Sequence, residues 1–192
     1  MIVIVSGPPG SGKSTLVERL AEKYSLTPIF ASDILAQLRE KHADEIDARG
    51  TEKSNGFWES EEGKKFVEQR LKNLDFDRKL DKELLRLARE EDNLIFDSRT
   101  LPWLFEGKAF RIWLNASLET CAQRIAGRDD VPAEQVLESL RARFETDKRI
   151  YKKLYGFSLG EDFKPFDLVI DTEKMDSEQV FRKAVEGIEK EK

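Results

Sequence analysis

The chain has 192 residues, of which 33 are basic and 38 acidic, which gives a formal net charge of −5. This length suits one domain with a substantial core, and the acidic balance argues against a protein that coats nucleic acid polymers. Cys121 is the single cysteine and His42 the single histidine, which excludes an intrachain disulfide and clusters of cysteine or histidine metal ligands. The apolar run at residues 2–5 is too short for a membrane span or a signal peptide, so we expect a cytoplasmic protein. We also expect a monomer or a weak dimer.

Five short apolar runs along the chain are predicted to be β-strands. They are bounded by turn-forming or polar residues, and most lack a clean alternation of apolar and polar side chains. Continuously apolar strands separated by helical patterns are typical of a parallel sheet that is buried on both faces. We therefore predict an α/β fold of three layers with a five-stranded parallel sheet, its strands at residues 2–5, 28–31, 94–96, 110–114 and 168–170.

Helical periodicity occupies the intervals between these strands. An apolar stripe predicts a helix after the first strand, at Leu16, Val17, Leu20, Ala21 and Tyr24. Residues 66–91 predict one long helix or two short ones before the third strand. Pro132 suits the first turn of a later helix, and Ser177 suits the start of the last one.

Residues 41–65 differ from the rest of the chain because they are polar and contain several glycines, with Phe57 and Trp58 as an isolated aromatic pair. We predict a mobile insertion whose aromatic pair docks on the domain's own surface, since large apolar rings gain most from burial. The alternative is that this pair helps to cover a bound acceptor.

The eight residues GPPGSGKS, which follow the first strand, match the phosphate-loop pattern G-x-x-x-x-G-K-[ST]. Glycines let successive backbone N–H groups point at phosphate oxygens, and the helix N-terminus adds partial positive charge. Lys13 is predicted to bridge the β- and γ-phosphates, Ser14 to ligate Mg²⁺ and Thr15 to reach the α-phosphate. The predicted nucleoside triphosphate site comprises Gly7, Pro8, Pro9, Gly10, Ser11, Gly12, Lys13, Ser14 and Thr15.

Three uses of the triphosphate compete: a kinase, a GTPase-type switch and an ATPase motor. A switch requires asparagine in the base-reading motif after the fifth strand, where Glu173 stands, and a glycine in the motif after the third strand, where Thr100 stands. A motor requires an acidic pair at the end of a strand, whereas Asp97 is followed by Ser98. Asp176 fits best as the cap of the last helix. These features favour the kinase.

The kinase interpretation depends on charged residues expected at one edge of the sheet. Asp97 is predicted to end the third strand beside the phosphate loop, where it would hold Mg²⁺ or contact the acceptor, and Arg99 to bind an acceptor phosphate. Arg124 and Arg128 are four residues apart and therefore share a helix face. Phosphoryl transfer requires cations that neutralise phosphate oxygens. Further candidates, for some of which surface ion pairing is the alternative, are Arg141, Arg143, Asp147, Lys148 and Arg149.

With these motifs the chain resembles the P-loop nucleoside monophosphate kinases, most closely the short archaeal type of cytidylate kinase. The similarity covers nearly the whole chain outside residues 41–65. It is carried by residues 7–15, Ser32-Asp33-Ile34, residues 76–81, Asp97-Ser98-Arg99, Trp103, Glu119, Arg124-Ile125, Arg128, Tyr151, Tyr155-Gly156 and residues 167–172. The resemblance implies a single P-loop kinase domain with a core (residues 1–31, 92–123 and 164–192), an acceptor-binding arm (32–91) and a lid (124–163).

The resemblance also implies an activity, the transfer of a phosphoryl group from ATP, with Mg²⁺, to CMP or dCMP. Thr172 would lie near the adenine. The cations implied around the transferring group are Lys13, Arg99, Arg124, Arg128 and Arg143. The residues implied on the acceptor side are Asp33, Arg39, Asp77, Asp81, Asp97, Arg99, Asp147 and Arg149, and the implied metal ligands are Ser14 and Asp97.

This chain departs from the family pattern at four positions. Ser32 replaces an expected glycine, and Ala36, Cys121 and Ile150 replace expected arginines. Arg39, one helical turn beyond Ala36, and Arg149, next to Ile150, are the candidates to replace two of them. Cys121 is predicted to pack as a small apolar side chain. A related kinase with a non-nucleotide acceptor, and a nucleotide-binding regulator without turnover, are the alternatives that remain open.

Overall fold

Five parallel strands form the centre of the fold, which was described from a computed structural model over residues 1–41 and 60–191, the side chains of residues 39–41 excepted. The spatial order of the strands is β2-β3-β1-β4-β5. All four neighbouring pairs are parallel, so the carboxyl ends of the strands meet at one edge. The strands are β1 (Ile2–Ser6), β2 (Thr27–Phe30), β3 (Leu94–Asp97), β4 (Phe110–Asn115) and β5 (Leu168–Asp171).

Helices cover both faces of this sheet, because successive strand side chains point to opposite sides. Ile2 and Ile4 of β1 pack into one core cluster, and Val3 and Val5 pack into the other. The first cluster also contains residues of α2, α4 and α5, and the second contains residues of α1 and α8. The eight helices of the described residues are α1 (Lys13–Tyr24), α2 (Ala31–Lys41), α3 (Glu61–Lys72), α4 (Asp75–Glu90), α5 (Leu101–Leu104), α6 (Leu118–Asp129), α7 (Ala133–Tyr155) and α8 (Ser177–Lys190). The predicted three-layer fold with a five-stranded parallel sheet is confirmed.

Two smaller apolar clusters attach α7 to the rest of the domain. Its N-terminal half packs on α6 through Val136 and Leu140, against Cys121 and Ile125. Its C-terminal half joins an aromatic cluster that includes Trp113 of β4. Helix α7 also contacts α3, so it bridges two regions that are far apart in the sequence.

Residues 66–91 form two helices, α3 and α4, separated at Asn73 and Leu74. The Asp176 carboxylate accepts a hydrogen bond from the Gln179 backbone N–H and caps α8, as predicted. The predicted docking of Phe57 and Trp58 lies outside the described residues. Within the ranges given above, no helix has both the length and the apolar character required to cross a membrane.

Candidate active site

The phosphate loop connects β1 to α1 and depends on glycine at sterically restricted positions. Gly7 and Gly10 have φ angles of +149° and +81°. A Cβ atom on Gly7 would lie 2.5 Å from the Leu114 carbonyl oxygen, and one on Gly10 would lie 2.7 Å from that of Cys121. The backbone of β4 and α6 therefore supports the loop closely enough to exclude any side chain at these two positions. Cys121 is fully buried here, as expected for a packing residue, and burial raises the pKa of its thiol to about 11.

Lys13, Ser14 and Asp97 come together beside this loop. The Ser14 hydroxyl donates to Asp97 Oδ2 over 3.0 Å, and Lys13 Nζ lies 4.0 Å from Asp97 Oδ1 while donating to the Pro8 carbonyl at 3.0 Å. Burial lowers the pKa of Lys13; Asp97 opposes this shift, and the nearby Arg99 and Arg143 add to it. A hydroxyl and a carboxylate are oxygen donors of the kind that Mg²⁺ uses together with phosphate oxygens and water, so this pair fits the ion.

An ion-pair network lies at the same edge and consists of Arg70, Asp77, Arg99 and Asp147. Arg99 donates to Asp147 Oδ2, and Arg70 Nη1 lies 2.9 Å from Asp147 Oδ1. Arg70 also donates two hydrogen bonds to Asp77, at 3.1 and 2.5 Å. Burial by itself would raise the pKa of Asp147, but the guanidiniums of Arg99, Arg70 and Arg143 outweigh it and lower this pKa. Asp147 is therefore ionised and fully buried, which such pairing permits.

Arg143 lies one turn before Asp147 on the buried face of α7, with 9% of its surface exposed. Burial is the largest influence on its pKa, and together with the like charges of Arg99 and Arg70 it lowers that pKa to about 9, against partial compensation by Asp147. Arg143 still carries its charge at neutral pH. Arg143 thus brings a third guanidinium to Arg70 and Arg99 around Asp147, and guanidiniums placed in this way are suited to bind an anion.

Asp81 forms a second buried polar group next to the network. Its carboxylate accepts hydrogen bonds from Thr100 Oγ1 at 2.5 Å and from the Tyr155 hydroxyl at 2.6 Å. Burial raises the pKa of Asp81 to about 7, although both hydrogen bonds act in the opposite direction. This contact ties α4 and α7 to the segment that follows Arg99.

A pocket of about 160 Å³ lies on the other side of the phosphate loop. Arg124 Nη1 donates to Thr172 Oγ1 at 3.2 Å and its Nη2 donates to the Thr172 carbonyl, while Thr172 Oγ1 donates to the Asn115 carbonyl. Leu16, Met175 and Val180 supply apolar walls, and Asp176 and Ser177 supply polar ones. A guanidinium beside apolar side chains suits a flat aromatic ring. Ser11, Gly12 and Thr15 of the phosphate loop also line it.

Glu173 holds the loop after β5 onto the start of α6. Its carboxylate accepts hydrogen bonds from the Ser117 N–H and hydroxyl, both at 2.8 Å, and from Thr120 Oγ1 at 2.6 Å. These hydrogen bonds, that from Thr120 first, lower the pKa of Glu173 to about 2. The contact fixes the neighbouring Thr172 relative to Arg124.

The structure thus brings Lys13, Ser14, Asp97, Arg99 and Arg143 to one edge of the sheet, and Arg124 and Thr172 to the adjoining pocket. It gives Asp77 and Asp81 protein partners deep in the fold, with 1% and 3% of their surface exposed. Arg70 binds Asp77, and Thr100 and Tyr155 bind Asp81, so a contact of either carboxylate with the acceptor stays a prediction. Asp147 is likewise held by two arginines.

Several other candidates lie away from this edge. The Arg128 side chain is 65% exposed and donates two hydrogen bonds to the adjacent Asp129, at 2.6 and 2.7 Å. Arg149 is exposed on α7, and helical geometry places it opposite the face that carries Asp147, so it does not replace an arginine at position 150. The Arg39 side chain lies outside the described residues. Asp33 is buried in the first turn of α2 and accepts from the Ser32 hydroxyl at 3.2 Å.

Sequence reasoning missed Arg70 and the polar contacts of Thr100, Tyr155 and Glu173. Arg70 has a recognisable signal, because it follows Phe66 by four residues and both lie on the buried face of α3. A charged side chain on the apolar face of a helix requires a buried partner. The sequence does not reveal which carboxylates provide it, since Asp147 is 77 positions away from Arg70.

A phosphate loop after β1, in a parallel sheet ordered β2-β3-β1-β4-β5, defines the P-loop NTPase fold. Solved kinases share this fold: the deoxyadenosine kinase from M. mycoides with bound dATP has a TM-score of 0.59 at 16% identity, over 98% of this chain and 100% of that one. The shikimate kinase from Acinetobacter baumannii in complex with shikimate has a TM-score of 0.55 at 16% identity, over 100% of this chain and 94% of that one.

The chain belongs to the cytidylate kinase-like family, whose model matches residues 2–174. A relative from Sulfurisphaera tokodaii named cytidylate kinase is 36% identical over 181 residues, which covers 94% of this chain and 91% of the relative. Another of that name, from Ignicoccus hospitalis, is 33% identical over 180 residues, or 93% of this chain and 94% of the relative. The family resemblance predicted from the sequence is confirmed.

Proposed function

We propose that this protein is an ATP-dependent kinase that transfers the γ-phosphoryl group to CMP or dCMP. The observation that carries the proposal is the convergence of Lys13, Arg99 and Arg143. Burial is the main cause of the lowered pKa of Lys13, and the two arginines lower it further, so the three cations are close enough to repel one another. Phosphate groups of a donor and an acceptor would relieve this repulsion. The relatives named cytidylate kinase support the pyrimidine acceptor.

The donor nucleotide fits the phosphate loop and the neighbouring pocket. Backbone N–H groups of the loop and Lys13 would bind the β- and γ-phosphates, Thr15 the α-phosphate, and the pocket beside Arg124 and Thr172 the base. Ser14 and Asp97 would hold Mg²⁺, which neutralises charge on the phosphate oxygens when it is bound.

The acceptor phosphate would bind Arg99 and Arg143 on the other side of Lys13. One of its oxygens would attack the γ-phosphorus in line, the bond from that phosphorus to the β–γ bridging oxygen would break, and ADP would leave. The side chains catalyse by positioning the two phosphates and stabilising the charge that develops between them. We also propose that residues 32–91 act as the acceptor-binding arm and residues 124–163 as a lid that carries Arg128 over the phosphates.

A coupled assay of ADP release tests the proposal. Purified protein with ATP and Mg²⁺ is supplied separately with CMP, dCMP, UMP, AMP and GMP, and the Lys13→Met variant measures background hydrolysis. We expect rapid release with CMP or dCMP and background rates with the purines. Background rates with all five acceptors, from protein that binds ATP in calorimetry, would contradict the proposal and point to an acceptor outside the nucleotides.

A further inference from the structure

Arg70 is the most deeply buried charged residue of α3 and has no part in the proposed chemistry described so far. Its side chain is 2% exposed and meets two carboxylates, that of Asp77 on α4 and that of Asp147 on α7. Asp77 accepts hydrogen bonds from Nε and Nη2 of the Arg70 guanidinium. This leaves Arg70 Nη1 to face Asp147 Oδ1 at 2.9 Å. The guanidinium is therefore fixed on one side by α4 and presented on the other to α7.

Asp147 is shared between two arginines, one at each oxygen. Oδ2 accepts from Arg99, whereas Oδ1 faces Arg70. A carboxylate with both oxygens open binds a guanidinium through two parallel hydrogen bonds, which is the strongest arrangement that this pair can form. Arg70 prevents that arrangement, because it occupies the second oxygen.

The distribution of charge in the site supports the same role for Arg70. With Arg70 present, Asp147 divides its negative charge between Arg70, which lies outside the proposed acceptor contacts, and Arg99, so Arg99 is held less strongly and can also bind a phosphate. Without Arg70, both oxygens of this buried carboxylate would draw on Arg99, and an incoming phosphate would compete with Asp147 for that guanidinium.

We propose that Arg70 is a positioning residue for the acceptor phosphate, which acts by holding Asp147 Oδ1 so that Arg99 is tethered through one oxygen only. The inference rests on the proposed function in assigning the phosphate to an acceptor. It also assigns one side chain of α3, within the proposed acceptor-binding arm, a role at the phosphate site.

Three variants of the full chain test this role: Arg70→Met, the conservative Arg70→Lys, and Phe66→Leu as a packing control. Phe66 lies one turn before Arg70 on the same face of α3 and is 4% exposed, so its truncation weakens the packing of that helix without touching the ion pairs. For Arg70→Met we expect KM for CMP to rise about tenfold or more, which is the effect of losing one charged hydrogen bond from Arg99 to the acceptor phosphate. KM for ATP should stay within about twofold of that of the unaltered protein. Arg70→Lys keeps a charge that can reach one carboxylate and should recover part of the loss. Phe66→Leu should lower the melting temperature and leave both KM values unchanged.

A binding measurement keeps this test independent of turnover. Inorganic phosphate is titrated into the ADP-saturated protein by calorimetry. The binding event that is lost in the Arg99→Met variant is the one to which Arg99 contributes. We expect Arg70→Met to lower the affinity for that phosphate about tenfold. Two results would overturn the positioning role. One is equal phosphate binding by Arg70→Met and the unaltered protein. The other is a rise of KM for CMP and KM for ATP that is the same in Arg70→Met as in Phe66→Leu. Absence of turnover in the unaltered protein, with phosphate binding still dependent on Arg70, would overturn the proposed function alone.

Discussion

The Asp81→Asn substitution should make the stability of the protein less sensitive to pH. Asp81 is 3% exposed and accepts hydrogen bonds from Thr100 and Tyr155, and burial raises its pKa from 3.8 to about 7. A raised pKa in the folded state means that the folded protein binds the proton more tightly than the unfolded chain. The stability associated with Asp81 is then complete below pH 3.8 and is lost as the pH rises through about 7.

The magnitude follows from the two pKa values. The full shift corresponds to about 4 kcal/mol, and about 2 to 3 kcal/mol of it falls between pH 5 and pH 8. Asparagine has nearly the same shape and does not ionise, so the variant lacks this term whatever its absolute stability.

Urea unfolding of both proteins at pH 5 and pH 8 measures the effect. The free energy of unfolding of the unaltered protein should fall relative to that of Asp81→Asn by about 2 to 3 kcal/mol over this interval. The comparison between the two proteins cancels the titration of the other acidic residues. A difference in unfolding free energy that is the same at both pH values would refute a strongly raised pKa at Asp81.

Three further substitutions, together with one control substitution, test the donor side of the site. Lys13→Met should reduce kcat with ATP and CMP by about 100-fold or more, because the γ-phosphate loses its main cation, and a near-normal rate would contradict the mechanism. Gly10→Ala should abolish ATP binding or unfold the loop, because its Cβ would lie 2.7 Å from the Cys121 carbonyl oxygen. Gly127→Ala is the matched control, since a Cβ there meets nothing within 4 Å, and it should stabilise α6 by about 1 kcal/mol in thermal unfolding. Glu173→Gln should raise KM for ATP about fivefold by loosening the loop that carries Thr172, whereas an equal rise of KM for CMP would show that Glu173 does not act on the donor pocket.

The sequence determines the features of this protein that depend on local pattern. The phosphate loop can be identified because glycine spacing, the lysine and the following apolar stripe all lie within 18 positions, at residues 7–24. The sheet could be predicted because a continuously apolar strand such as residues 94–96 is stable only when both faces are covered. The placement of Asp97 and Arg99 at the carboxyl edge follows directly from the parallel arrangement of strands.

Only the tertiary structure decides which charged residues pair. Asp77 and Asp81 lie four residues apart on one face of α4, yet the first binds Arg70 and the second binds Thr100 and Tyr155. Arg149 and Arg143 belong to the same helix, but the rotation of α7 buries one and exposes the other. The phase of a helix against its neighbours is set by the packing of apolar side chains from distant parts of the chain, such as Tyr151 of α7 and Trp113 of β4 in one cluster. Charge pairing follows that packing, because a buried charge is tolerated only where the fold supplies an opposite one.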